Sequence, residues 1–164
     1  MRYEETRVKE RSMGIRKAEV DDWQVISGLL GQLGYPGTEL FIKDKIAKLA
    51  NSPDAELLVY EDEARVVAFI SLHFIPQIAL EGDFARIGYF AVDKAFRGRG
   101  IGGAIEEYCV NIAKQRKCDR IEVHSHSRRL DAHGFYLRQG YMESPKYLRG
   151  ASAVSCRCSN SSRA

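Results

Sequence analysis

The chain has 164 residues, a length that fits one domain with a single apolar core. It is 45% hydrophobic and 29% charged, which is typical of a soluble globular protein and argues against a disordered or membrane-embedded chain. The 25 basic and 22 acidic residues leave a net charge of +3, too small an excess for a general nucleic-acid binder.

The cysteines and the first residues bear on cellular location. Four cysteines are too few and too unevenly spread for a secreted disulfide scaffold, and they fit a reducing compartment. The first dozen residues are charged and contain no apolar signal-peptide core, and no stretch reaches the length of a membrane-spanning helix. We therefore expect a cytoplasmic protein without a membrane partner.

Composition shifts along the chain suggest a simple organisation. Residues 1–12 are expected to be a flexible arm, residues 13–157 a single domain and residues 158–164 a tail. No internal repeat or low-complexity linker interrupts the domain.

The first half of the domain predicts strands and two helices. Apolar residues recur at helical spacing from Ile26 to Leu33, and Gly34 with Pro36 ends that helix. The polar residues 61–64 separate two β-rich runs, as in a hairpin. The predicted elements are a strand at 13–18, a helix from Asp21 or Asp22 to Gly34, a helix at 38–50, strands at 57–60 and 65–74, and a buried strand at 85–92.

The second half predicts a strand–helix–strand unit. From Ile101 to Arg116 the apolar residues repeat at i, i+3, i+4, i+7 and i+8, the clearest helical pattern in the chain. Ile121 and Val123 mark a strand that should lie parallel to the one before, through a right-handed crossover. A short helix at 130–139 and one or two last strands up to Arg157 complete a mixed α/β domain.

A glycine-rich loop lies between the buried strand and the long helix. It reads Arg97-Gly98-Arg99-Gly100-Ile101-Gly102-Gly103. Backbone N–H groups and the positive end of the helix dipole converge at such a position and stabilise anions. Glycines let a ligand approach the amides, and arginines add donors for phosphate oxygens. The loop therefore predicts a pyrophosphate ligand.

Other interpretations of this loop are weaker. Glycines before a helix are often only a tight turn. The phosphate-binding pattern G-x-x-x-x-G-K-[ST] is absent, and the dinucleotide spacing G-x-G-x-x-G occurs too late in the chain, with no second nucleotide-binding half after it.

Two motifs resemble one known family. The run from Val92 to Gly102 resembles the acetyl-CoA motif R/Q-x-x-G-x-G/A of the GNAT superfamily of N-acetyltransferases, with Arg97, Gly100 and Gly102 at the defining positions. Residues 132–141, Ala-His-Gly-Phe-Tyr-Leu-Arg-Gln-Gly-Tyr, look like its later A-x-x-F-Y-x-x-x-G-[FY] segment. The resemblance covers roughly residues 13–157.

The resemblance implies a fold and a cofactor site. The fold is an α/β domain of the α+β type, with a mixed, centrally splayed sheet of six or seven strands and about four helices. Acetyl-CoA would enter where the strands ending near Val92 and Ser125 diverge, as a co-substrate and without a metal. The residues expected to bind it are Phe90, Ala91, Val92, Arg97, Gly98, Arg99, Gly100, Ile101, Gly102 and Gly103.

The same resemblance implies direct transfer of acetyl to a primary amine in a ternary complex. Tyr136 of the Phe-Tyr pair is the expected general acid for the departing thiolate, although such a pair is often only core packing. The base stays open, because Arg86 and Gly88 occupy strand positions where many relatives carry a glutamate. The other candidates for the base are Glu81, Asp83, Glu122, His124 and His133.

Several alternatives remain beside this reading. His124-Ser-His126 and Cys156-Arg-Cys158 have the wrong spacing for zinc, so no metal is expected. The basic cluster that begins at Arg128 is interpreted as a solvated face, so no nucleic acid is expected. A small-molecule amine is favoured over a protein acceptor, and a homodimer would be unsurprising. The alternative function is a non-catalytic CoA-binding regulatory or interaction module.

Overall fold

The computed structural model describes residues 14–144. The expected arm at 1–12, the last strands up to Arg157 and the tail at 158–164 lie outside these residues. The elements in chain order are β1 Gly14–Lys17, a 3-10 turn Val20–Asp22, α1 Trp23–Gln32, α2 Ile42–Ala50, β2 Ala55–Asp62, β3 Arg65–Ile75, β4 Phe84–Val92, a 3-10 turn Lys94–Phe96, α3 Ile101–Gln115, β5 Arg120–Val123 and α4 Leu130–Arg138.

The five strands form one mixed sheet in the order β1-β2-β3-β4-β5. The first four strands pair antiparallel as a meander, and β4 pairs parallel with β5 through α3. The predicted hairpin, the parallel strand–helix–strand unit and the mixed α/β class with four helices are confirmed. Residues 14–144 contain five strands, against the six or seven expected for the whole domain.

One face of the sheet forms a core with α1 and α2. The residues of this core that are almost completely buried include Ile26, Leu29, Ile46, Val59, Phe69 and Ala91. On α3 the buried side chains include Ile101, Ile105, Cys109 and Ala113, which is the helical stripe that the sequence predicts. The sheet thus fixes β4 between β3 and β5, with helices anchored around it.

The second helix begins four residues later than the predicted Thr38. The Thr38 hydroxyl is buried and lies 2.7 Å from the Ser27 hydroxyl of α1. Its carbonyl accepts the N–H groups of Phe41 and Ile42, so residues 38–41 form a turn that leads into α2. The sequence pattern could not show this contact, because it joins two separate segments.

The backbone contacts divide the chain into two compact units, with the boundary between Arg129 and Leu130. The first unit contains the sheet and α1 to α3. The second contains α4, which ends in a turn where the Gly140 φ of +89° is one that glycine adopts without strain.

Candidate functional site

β4 and β5 are paired over only half the length of β4. The pairs run from Phe84 with Arg120 to Ile87 with Val123, where β5 ends. β4 continues to Val92, and among residues 14–144 only β3 pairs with this second half. The predicted splay of the sheet is therefore confirmed, and we call the space beside residues 88–92 the split.

A β-bulge lies at the start of the split. Ser71 of β3 pairs with Tyr89 and Leu72 pairs with Ile87, so Gly88 is an extra residue on β4. The Tyr89 N–H donates to the Ser71 hydroxyl at 2.9 Å. A Cβ atom at position 88 would lie only 2.9 Å from that hydroxyl oxygen, so the close approach requires glycine.

The backbone amides of β4 alternate in direction beyond the bulge. The Tyr89 N–H donates to Ser71, and the Asp93 N–H donates to the Val67 carbonyl at 2.8 Å, both on the β3 side. Because successive N–H groups of a strand point to opposite edges, those of Phe90 and Val92 point towards the split. The Ala91 side chain is buried in the core and holds this stretch in place.

The glycine loop joins the end of β4 to α3. Gly98 and Gly100 have φ values of +77° and +80°, which favour glycine, and both are exposed. Gly100 is the N-cap residue, and Ala104 donates the first helical hydrogen bond to its carbonyl. The N–H groups of residues 101–103 precede that bond, and a Cβ at Gly98 or Gly100 would project into open space.

Two arginines of the loop are held by the end of β4 and by an aromatic ring. Arg97 donates from Nε to the Val92 carbonyl at 3.1 Å. The Arg99 guanidinium lies 4.8 Å from the centre of the Phe96 ring, and that of Arg65 lies 5.3 Å from the same centre. A cavity of about 590 Å³ is lined by Arg65, Phe96 and Arg99 together with Asp62 and Glu63, so charges of both signs lie beside the loop.

The sequence candidates for a base are in different places. Glu122 of β5 accepts from Arg86 Nε at 2.7 Å, and His124 Nε2 lies 3.8 Å from the same carboxylate oxygen. Glu81 is exposed, and the Asp83 carbonyl, just before β4, accepts the Asp119 N–H, just before β5. Glu122 therefore forms an ion pair with Arg86, the residue that stands on β4 where many relatives carry a glutamate.

The residue that the sequence interpretation missed is His73. It lies on β3 opposite Arg86, half-buried, with its imidazole beside Gly88. It is the only titratable residue in the mostly apolar run 66–75, and that was the available signal. Burial lowers the pKa of His73 below its ordinary value, and the nearby Arg86 cation lowers it further.

Tyr136 belongs to the second unit and is buried within an aromatic cluster there. Its ring centre lies 5.1 Å from that of Phe135 and 5.2 Å from that of Tyr141, both in edge-to-face geometry. The Tyr141 N–H donates to the Tyr136 carbonyl at 3.0 Å. These contacts pack the Tyr136 ring against two aromatic neighbours within the second unit.

A family model with the description acetyltransferase (GNAT) family matches residues 18–141. The chain belongs to the GNAT family of acetyltransferases. It is 28% identical over 135 residues to the aminoalkylphosphonate N-acetyltransferase of Salmonella typhimurium, a match that covers 79% of this chain and 85% of that protein. The match to the family model and the resemblance of the two motifs therefore indicate the same family.

Solved structures share the GNAT fold. Glucosamine-6-phosphate N-acetyltransferase from Arabidopsis thaliana has a TM-score of 0.74 and 22% identity, with 85% of this chain and 98% of that chain covered. A transcriptional regulator from Bacillus halodurans C-125 has a TM-score of 0.76 and 22% identity, with 86% and 100% covered. At these identities the likeness concerns the fold.

Two further sequence candidates have structural outcomes in this GNAT domain. His126 Nδ1 accepts the Arg128 N–H at 3.2 Å, and within residues 14–144 no group of three or more His, Cys, Asp or Glu side chains could hold a metal ion. Cys156 and Cys158 lie outside those residues. None of the helices in the described part of the chain is long and apolar enough to cross a membrane.

Proposed function

We propose that this chain is a cytoplasmic N-acetyltransferase that moves an acetyl group from acetyl-CoA to a primary amine in a ternary complex. The observation that carries the proposal is the continuity of the split with the glycine turn at the start of α3. The split and the loop are joined by the four residues 93–96, as a long ligand with a pyrophosphate at one end requires.

The residues around the split fit coenzyme A. The backbone amides of Phe90 and Val92 would pair with the pantetheine arm, and the buried Ala91 side chain would anchor this part of β4 to the core. The amides from Arg97 to Gly103 would hold the pyrophosphate, because the open space at Gly98 and Gly100 is where a side chain would block it. Bound there, acetyl-CoA supplies a thioester, whose carbonyl is open to attack by an amine.

The chain must then handle protons at the amine and at the sulfur. An alkyl ammonium has an ordinary pKa of about 10.4, so it must lose a proton before it attacks. We assign the sulfur proton to the Tyr136 hydroxyl, on the strength of the Phe-Tyr segment that resembles the family motif. A phenol with an ordinary pKa of about 10 can protonate an alkyl thiolate and recover the proton as the amide forms.

A small acceptor is favoured over a protein. An exposed edge-to-face pair of Tyr35 and Tyr89, with ring centres 5.3 Å apart, lies beside Gly88. The Salmonella relative is named for an aminoalkylphosphonate, an amine that also carries an anionic group. These observations support a compact amine with a polar substituent, and they make aminoalkylphosphonates the first compounds to assay.

One observation favours a second candidate, a non-catalytic CoA-binding module. Arg86, in an ion pair with Glu122, and Gly88 stand on β4 where a catalytic acid would be expected. A protein without a base could retain the cofactor and lose turnover.

A CoA-release assay over a panel of amines distinguishes the two functions. The panel contains aminoalkylphosphonates, amino sugars, polyamines and N-terminal peptides, each with acetyl-CoA. We expect turnover with at least one small amine. Thermal stabilisation by acetyl-CoA with no turnover over the whole panel would favour the module, and no stabilisation would refute cofactor binding altogether.

A further inference from the structure

The His73 imidazole lies beside Gly88, one of the two β4 positions where an acid is expected from the resemblance. Side chains alternate along β3, so Ser71 and His73 share with Phe69 the face that packs on α1 and α2. A Cβ at Gly88 would lie 3.1 Å from both Cδ2 and Nε2 of His73. The His73 ring therefore leans over the first residue of the split.

His73 also lines a cavity that an acceptor can enter. The cavity measures about 480 Å³ and lies between the end of α2 and strands β3 and β4. The charged side chains in its wall besides His73 are Lys48 of α2, Asp54 before β2 and Arg86 of β4. An amine in this cavity would have His73 on the side nearest the split.

The charges around His73 keep it available for a proton. Arg86 is its cross-strand neighbour on β4, and Arg86 Nε donates to Glu122 at 2.7 Å. Burial and this cation lower the pKa of His73 below its ordinary value of 6.5. Lys48 and Asp54, which line the same cavity, carry opposite charges. The imidazole is therefore neutral at pH 7 to 8, the form that accepts a proton.

We propose that His73 is the general base that deprotonates the acceptor ammonium, an inference that rests on the proposed acetyltransferase function. His73 takes one proton from the ammonium, and the freed lone pair forms the C–N bond while the C–S bond breaks. The second nitrogen proton leaves as the amide forms and balances the proton that the sulfur receives. His73 returns its own proton to solvent, so the reaction yields amide, CoA thiol and one proton.

The first test is the pH dependence of kcat/KM in wild type, His73→Gln and the control His126→Gln. Wild type should lose activity below the lowered pKa of His73 and reach a plateau at neutral pH. His73→Gln should be about 10²- to 10³-fold slower at pH 7.5 and should gain nearly tenfold per pH unit, because only free amine then reacts. His126→Gln should follow the wild-type curve.

The second test is chemical rescue combined with a direct titration. Added imidazole should restore part of the activity of His73→Ala and leave His126→Ala unchanged. In the unliganded protein, NMR of the labelled imidazoles should show His73 titrating below its ordinary pKa of 6.5. A His73→Ala enzyme that folds, is stabilised by acetyl-CoA and is slow, yet gains nothing from imidazole, would overturn the proposal.

The two proposals fail in different ways. Wild-type activity in His73→Gln with an unchanged pH profile would refute the base and leave the acetyltransferase intact. Absence of turnover in the wild type over the whole amine panel would refute the acetyltransferase, and the base with it.

Discussion

Substitution of Gly100 by valine tests whether the loop before α3 holds the cofactor. Gly100 has a φ of +80° and caps α3, so a valine there adds left-handed strain of at least about 1–2 kcal/mol. For a chain of this size, that cost should lower Tm by roughly 2–8 °C. The backbone strain alone therefore lowers the Tm of Gly100→Val. A control variant with the same strain at a position outside the loop is needed to separate this effect from loss of acetyl-CoA binding.

Gly37 supplies that control. It has a φ of +79°, and its Cβ position is also open, but it lies in the α1–α2 connection. Gly37→Val should suffer a similar loss of Tm and keep its response to acetyl-CoA. At a ligand concentration of 100 times Kd, binding adds about 2.7 kcal/mol, or roughly 5–11 °C.

Differential scanning fluorimetry with and without acetyl-CoA measures both effects. In Gly100→Val the side chain should occupy the space in front of the loop amides. A 100-fold weaker site would be left with about 0.4 kcal/mol of stabilisation, a shift of only about 1 °C. If acetyl-CoA raises Tm equally in Gly100→Val and Gly37→Val, the loop does not hold the pyrophosphate.

Three further predictions concern other parts of the chain. Tyr136→Phe should lower kcat by about 10²- to 10⁴-fold while acetyl-CoA still raises Tm, and equal kcat values would leave Tyr136 a packing residue. Arg16→Ala should reduce stability in urea by about 1–3 kcal/mol, because Arg16 hydrogen-bonds to Asp22. Burial raises the pKa of Asp22, but the hydrogen bonds from Arg16 and from a backbone N–H outweigh burial and keep this pKa below 3.8. The stabilisation by Asp22 is therefore present above pH 4 and lost in more acidic solution. The free energy of unfolding of Arg16→Ala should depend less on pH in that acidic range. Gly82→Ala should lower Tm more than Gly34→Ala although Gly34 has the positive φ, since a Cβ at 82 would lie 2.5 Å from a backbone oxygen.

The sequence predicted those parts of the site that depend on local pattern. The stripe on α3 follows from apolar spacing, and Gly98 and Gly100 follow from the positive φ that a tight turn before a helix requires. The split was predicted from the family resemblance, and its extent is visible only in the register, where β5 ends opposite Ile87. Helical spacing and turn glycines can be predicted from a sequence, whereas the relative length of two paired strands cannot.

Contacts between strands account for what the sequence did not show. Arg86 and Glu122 are far apart in the chain, and their ion pair depends on the parallel register of β4 with β5. In the sequence, His73 is a titratable residue within a mostly apolar strand that also contains Ser71. Its position beside the split depends on the bulge, which shifts β4 by one residue against β3. The pattern of apolar and polar residues within either strand does not predict this change of register.

The absence of an acid at position 88 of β4 and the position of the His73 ring are linked through the bulge. A side chain at position 88 would begin with a Cβ that lies 3.1 Å from the His73 ring and 2.9 Å from the Ser71 hydroxyl. A side chain at position 88 and the imidazole of His73 would therefore compete for the same space. Because the position holds glycine, the ring can lean over the split, and the proton acceptor comes from β3 instead of β4. The lack of a glutamate on β4 is therefore weak support for an inactive domain, since the glycine that replaces it creates the room for another base.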